Sequence, residues 1–409
     1  MKYLPLLILA ACAADTPPQK GGRVPIFGNS QVPAADGLVR LERPGANKEW
    51  LGESGNSANS IGHVAGRKEF ERIFKADIGA SGDESMILYP PSVSGGKVFA
   101  MDGRLNVSAL DAKTGEILWR YGGFEAEGKV SFGAVNADSG RVFALSNAGA
   151  LAALDQSDGR ELWKVDLGAE LKSSIAVCGG ALVFKTADDE LVALDARSGE
   201  KLFSIRTAPD SFGFFKGSAP ACADGGIIAG FSGGDVYSVS GKAGRSNWAA
   251  RVSRQAVGDV GSIGDIIANP VISGGQVFVK GYSGPLVALD LASGAELWSL
   301  PSDGGATPAL SNGILFDVSS SGTLRAVKAE TGGVIWSADV PGGDSVLMSP
   351  LLVNNRLLVA RSDGELLKYD PYTGAYAGSQ KLSGKVDAAP VMADATLYVI
   401  SGGNLLAFR

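Results

Sequence analysis

Few residues in this 409-residue chain have the type and spacing to do chemistry. His63 is the single histidine, in the stretch GHVAGRKEF, so a catalytic triad, a histidine-based metal site or a histidine general base would have to use it alone. A surface or capping role is expected for it instead. The cysteines are Cys12, Cys178 and Cys222, with no paired spacing for a metal, and neither a phosphate loop nor a GxSxG elbow occurs. An aspartate recurs at Asp111, Asp155, Asp195 and Asp290, always followed by a turn and a glycine. A catalytic carboxylate is not needed many times over, so these read as acceptors for the backbone amides of their own turns.

What positions these residues is a repeated phrase: ALDAKTGEILW at 109–119, ALDQSDGRELW at 153–163, ALDARSGEKLF at 193–203 and ALDLASGAELW at 288–298. Its glycine returns at Gly115, Gly159, Gly199, Gly244, Gly294, Gly332 and Gly374, at spacings of 44, 40, 45, 50, 38 and 42 residues, the length of one four-stranded propeller blade. Within residues 91–123 four short apolar runs are separated by the turns Ser94–Gly96, Asp102–Gly103 and Lys113–Gly115, which predicts an antiparallel meander. A large ring four residues after the glycine (Trp119, Trp163, Phe203, Trp248, Trp298, Trp336) reads as packing between neighbouring sheets. Ser240 and Lys328 replace the aspartate in two copies, and Gly378 stands at the ring position of the seventh, degeneracy that suits a scaffold better than a repeated binding site.

Seven full copies are followed by a truncated one ending at Arg409, while RIFKADIG at 72–79 resembles the closing part of a repeat. The predicted fold is therefore an all-β, eight-bladed propeller of four-stranded antiparallel blades, closed by an N-terminal strand that completes the last blade; seven blades is the alternative. The composition, with 57 glycines and 20% charged residues, agrees with one large β domain, residues 49–409. Net charge is −6, and −7 once Lys2 leaves with a leader, so no basic stripe is available for nucleic acid.

Residues 1–11 form a short apolar leader, too short to span a bilayer. Leu9, Ala10, Ala11 and Cys12 resemble the lipobox of bacterial lipoproteins, which implies lipidation of Cys12; Ala13 after it implies the outer membrane rather than inner-membrane retention. A cleaved signal ending near Ala14 is the other reading. Residues 12–48 read as the lipidated cysteine and a tether. Aligned on their repeats, Cys178 and Cys222 lie one register step apart and so on opposite faces of their sheets, which predicts two buried free thiols, with a disulfide as the alternative in an oxidising compartment.

Connectors from the outer strand of one blade to the inner strand of the next all emerge on one face of a propeller. Two stand out: TAPDSFGFFKGSAP (207–220), with Phe212, Phe214, Phe215 and Lys216, and SRQAVGDVGSIGDIIANP (253–270), with Asp259, Ile263, Asp265, Ile266 and Ile267. Consecutive connectors are neighbours, so apolar residues and both charge signs are brought to one patch, as a partner surface or as loop packing.

The repeats resemble the blades of quinoprotein alcohol and glucose dehydrogenases, which bind pyrroloquinoline quinone at the propeller centre; the adjacent cysteines and compact calcium-binding set of those enzymes are absent here. Lipobox, tether, eight repeats and the two connectors together resemble the outer-membrane protein assembly factor BamB family over nearly all of the mature chain. That resemblance implies a non-catalytic, cofactor-free, lipid-anchored scaffold on the periplasmic face of the outer membrane. Its partners would be the periplasmic repeats of the β-barrel insertase and nascent outer-membrane proteins. Phe215 and Lys216 before GSAP match an apolar and a basic residue of the family's insertase-binding surface. Asp265 matches one of its acids, Ile267 replaces another, and Phe214 and Ile266 flank them. A quinone-dependent dehydrogenase, or a periplasmic protein-binding propeller of another kind, are the alternatives.

Overall fold

The computed structural model describes residues 37–81, 87–124, 132–207, 214, 216–252, 264–342, 345–382 and 384–409. Cys12, most of the tether and Phe215 lie outside them. The described residues form eight sheets with no α-helix, and a single helical turn of 3-10 type at Ser232–Gly234. Blades 1 to 7 span residues 92–121, 132–166, 176–206, 221–251, 271–300, 309–339 and 351–381, each an antiparallel meander from inner to outer strand.

Blade 8 takes its three inner strands from Val391–Ala393, Thr396–Ser401 and Asn404–Phe408, and its outer strand from Arg72–Asp77, which pairs antiparallel with Asn404–Phe408. The ring is closed as the sequence predicts. Blade 2 carries one addition, a two-residue strand Ile87–Leu88 paired in parallel with Phe132–Gly133.

The repeated phrase acts at the seams between blades. In blades 1 and 3 the aspartate Oδ1 accepts two backbone amides of its turn, from Lys113 and Thr114 onto Asp111 (2.9 and 2.8 Å) and from Arg197 and Ser198 onto Asp195 (2.8 and 2.9 Å). The glycine that follows has φ of 71–75° in six of the seven copies, a left-handed conformation that a side chain resists. It is also where the preceding blade's ring lies. A Cβ on Gly332 would come within 2.7 Å of Trp298, and one on Gly159 within 2.6 Å of Trp119. The same tryptophans donate Nε1–H to the carbonyl one residue past the aspartate position, Trp298 to Ala329 at 2.8 Å and Trp336 to Pro371 at 3.0 Å. At the closing seam Phe74 covers Gly115, and the hydrogen bond is made by the Tyr398 hydroxyl to Ala112 O at 2.8 Å.

Two expectations are corrected. Cys178 and Cys222 are joined as a disulfide between the inner strands of blades 3 and 4, with Cα atoms 5.7 Å apart. Opposite sheet faces were expected to keep the thiols apart, yet in a propeller one face of each blade packs on the opposite face of the next, so that arrangement brings them together. The chain also docks on the ring earlier than residue 49. Val39 is buried against blades 6 and 7, Asn312 donates to Arg40 O, and Asn47 donates to Met392 O at 2.8 Å.

Residues 45–66 cross the space enclosed by the inner strands. Trp50 exchanges two backbone hydrogen bonds with Val93 of blade 1; Cys222 of blade 4 donates to Ser57 O and Ile272 of blade 5 to Ala58 O; Val64 donates to Leu352 O of blade 7. A segment bound to blades on opposite sides of a ring passes across its axis. His63 belongs to this segment and is buried, not exposed. Its Nδ1 donates to Glu42 O at 2.7 Å and its Nε2 accepts from Asn355 N at 2.9 Å, while burial holds the ring's pKa below its ordinary value. A neutral capping histidine is the result.

Candidate partner-binding surface

The two connectors singled out in the sequence do lie side by side. Ser218 N donates to Ile266 O at 3.2 Å, Ala219 N to Asn269 Oδ1 at 2.7 Å, and Gly217 N to Lys172 O at 2.6 Å. Phe214 stands edge-on to Tyr282, ring centroids 4.4 Å apart, and both are half-buried. Ile267 is half-buried with its Cδ1 over Gly305, and Lys216 has 31% of its side chain exposed. Phe214, Lys216 and Ile267 therefore reach the surface together.

Asp265 and Ile266 do not: each is only 1% exposed. Asp265 Oδ2 accepts the Phe214 amide at 2.6 Å and Oδ1 accepts the Gly233 amide at 3.3 Å, while the Lys172 ammonium lies 3.6 Å from Oδ2. A carboxylate without those partners would be costly to bury; with them it ties the connector after blade 3 to the one after blade 4. Its expected exposure is thus corrected: Asp265 is buried beneath the two connectors.

Lys172, from the connector before blade 3, is the cation of this arrangement. It is also 3.8 Å from Asp189 Oδ1 and hydrogen-bonded to Ser232 Oγ, which in turn donates to Asp189 at 3.1 Å. Beside it Lys185 is fully buried, donating to Ser218 Oγ at 3.1 Å and to Gly230 O, with its ammonium 5.5 Å from the Phe231 ring centroid. Burial and then the neighbouring Lys172 charge bring the Lys185 pKa down to about 7. A second buried pair, Lys280 with Asp317 at 2.8 Å, joins blades 5 and 6.

Sequence reasoning missed Lys172, Glu53 and Tyr282. The signal for buried charge was present: Lys185 and Lys280 end their second strands where other repeats have Met101, Val318 and Ala360. A lysine at the end of an apolar strand must find a partner across the seam.

A quinone-and-calcium centre does not fit these residues. Among the described residues no group of three or more His, Cys, Asp or Glu could hold a metal ion, the described cysteines are bridged between separate blades, and residues 45–66 cross the ring axis.

Fold and surface define a class, the closed eight-bladed propeller of quinoprotein-type repeats, here with its irregular connectors grouped on one face. A family model described as outer membrane protein assembly factor BamB matches residues 103–338 and 320–408, and the chain belongs to that family. It is 27% identical over 348 residues to the outer membrane protein assembly factor BamB of Yersinia pestis, covering 82% of this chain and 88% of that one. To the BamB of Vibrio cholerae it is 32% identical over 228 residues, 55% of this chain and 59% of the relative. The crystal structure of BamB from Moraxella catarrhalis superimposes with a TM-score of 0.72 at 19% identity, covering 83% of this chain and all of that one. The quinohemoprotein alcohol dehydrogenase of Comamonas testosteroni gives 0.70 at 13% identity over 88% of this chain and 80% of the enzyme, so the two share the fold.

Proposed function

We propose that this chain is a non-catalytic scaffold subunit in the assembly of outer-membrane β-barrel proteins. It binds the periplasmic repeats of the barrel insertase through the connectors after blades 3 and 4 and aids delivery of nascent barrel proteins. Cys12 is the lipid anchor, holding the propeller at the periplasmic side of the outer membrane. Family membership supports the assembly role. The observation that carries the binding reading is the pair of connectors fastened together from below by Asp265, with Phe214, Lys216 and Ile267 presented above. A preordered patch of an aromatic, an aliphatic and a cation loses little entropy on docking.

Phe214, Lys216 and Ile267 are the contact residues in this reading, with Phe215 beside them in sequence; Asp265 and Ile266 set their position. The test is a pull-down of the detergent-solubilised lipoprotein with partners identified by mass spectrometry. Near-stoichiometric insertase is expected, and Lys216→Met, which removes the charge without setting a carboxylate against Glu53, should reduce its recovery. Absence of the insertase from the native sample would overturn the reading.

A further inference from the structure

The segment that crosses the ring axis carries one acid to the connector face. Glu53 Oε1 lies 3.0 Å from the Lys216 ammonium, and the Glu53 side chain is only 12% exposed. The same ammonium sits 4.7 Å from the ring centroid of Tyr89, a buried residue from the chain between blade 8 and blade 1. Glu53 Oε2 is buried with no hydrogen-bond partner among the described residues. The cation of the proposed contact surface is thus already engaged, by a carboxylate of this chain's own N-terminal segment.

We infer that Glu53 is an internal cap on the partner-binding surface: it occupies Lys216 in the free protein, and an acidic side chain of the partner takes Lys216 over on binding. This rests on the function proposed above and adds the chemistry of the contact and its competitor. An ammonium has three donors, and here one faces Glu53 while the π face of Tyr89 takes another side. The part left exposed can accept one external carboxylate, but a second carboxylate brought beside Glu53 meets like charge, so the two compete. The same two connectors also carry apolar groups that are only half-buried, Phe214 against Tyr282 and Ile267 over Gly305. The fitting partner segment therefore places an acidic residue next to an apolar one. Glu53 also belongs to the segment that leads back toward the anchor, and Asn269, from the second connector, donates to Ser54 Oγ at 2.9 Å.

The experiment measures affinity of the purified propeller for the periplasmic repeats of the insertase, by calorimetry at two salt concentrations. Glu53→Gln keeps the size of the side chain and removes its charge; it should bind about fivefold more tightly, the ratio expected for one partly exposed ion pair. Glu53→Gln combined with Lys216→Met should lose that gain. Should Glu53→Gln fold poorly, the exchanged pair Glu53→Lys with Lys216→Glu retains an internal bridge, and it should fold while binding much more weakly than the native protein. Unchanged or weaker binding by a folded Glu53→Gln, with Lys216→Met still impaired, overturns the cap alone. Normal binding by Lys216→Met overturns the placing of the contact, and no binding by the native propeller overturns the function proposed above together with the cap.

Discussion

At the scale of the residue, the charges that matter lie under the surface. Lys185 has its pKa lowered to about 7, from an ordinary value of 10.5, by burial first and by the Lys172 charge second, with Asp189, Asp265 and Glu53 opposing. The unfolded chain then binds the extra proton between about pH 7 and 10.5, so this group's contribution rises with pH across that window and is lost as pH falls toward 7. Below pH 7 both states are protonated and the group adds no slope. Lys185→Met removes this pH dependence: plotted against pH from 6.5 to 9, native stability minus variant stability should climb, and a level line would refute the assignment. The turn aspartates behave in the opposite region. Backbone amides of Thr114 and Lys113 hold the Asp111 carboxyl below its ordinary range, so what it contributes is present at neutral pH and disappears only under acid conditions.

At the scale of the element, the unit of stability is the seam between blades, where a ring, a left-handed glycine and a carbonyl meet. Trp298 is 9% exposed, lies on Gly332 and donates to Ala329 O. Trp298→Ala should cost about 3–5 kcal/mol in cavity and lost burial, whereas Trp298→Phe keeps the ring and should cost nearer 1 kcal/mol for the hydrogen bond. Chemical denaturation of the two variants checks the ratio; equal losses would mean that the ring's packing is not what matters. This grammar was legible in the sequence because it is local: turn aspartate, glycine and ring stand within nine residues, as at Asp111, Gly115 and Trp119. The blade count, the antiparallel order and the closing strand followed from it. The burial of Asp265 was not legible, because its partners Lys172, Phe214 and Gly233 come from three separate connectors and turns. The disulfide was missed for a related reason: strand register fixes which face a thiol takes, but only the ring geometry says that opposite faces of neighbouring blades meet.

At the scale of the whole molecule, two long-range fastenings hold a ring of otherwise nearest-neighbour contacts: the blade 8 strand pairing and the segment 45–66 across the axis. The Cys178–Cys222 bridge instead reinforces a single seam, between blades 3 and 4, closing a loop of 44 residues beside that segment, whose Ser57 accepts from the Cys222 amide. By loop-closure entropy its removal should cost about 4 kcal/mol. Comparing melting curves of the native protein and Cys178→Ala/Cys222→Ala tests this, and no shift in melting temperature would show that the bridge forms without contributing. The closing pair, Arg72 opposite Phe408, joins residues more than 300 positions apart. Blades can form one after another as the chain emerges, but the circle cannot shut until the strand at 404–408 has been delivered to its place. An arc still lacking blade 8 exposes the two apolar blade faces that flank the gap, so a chaperone has the most to protect at the final step of maturation.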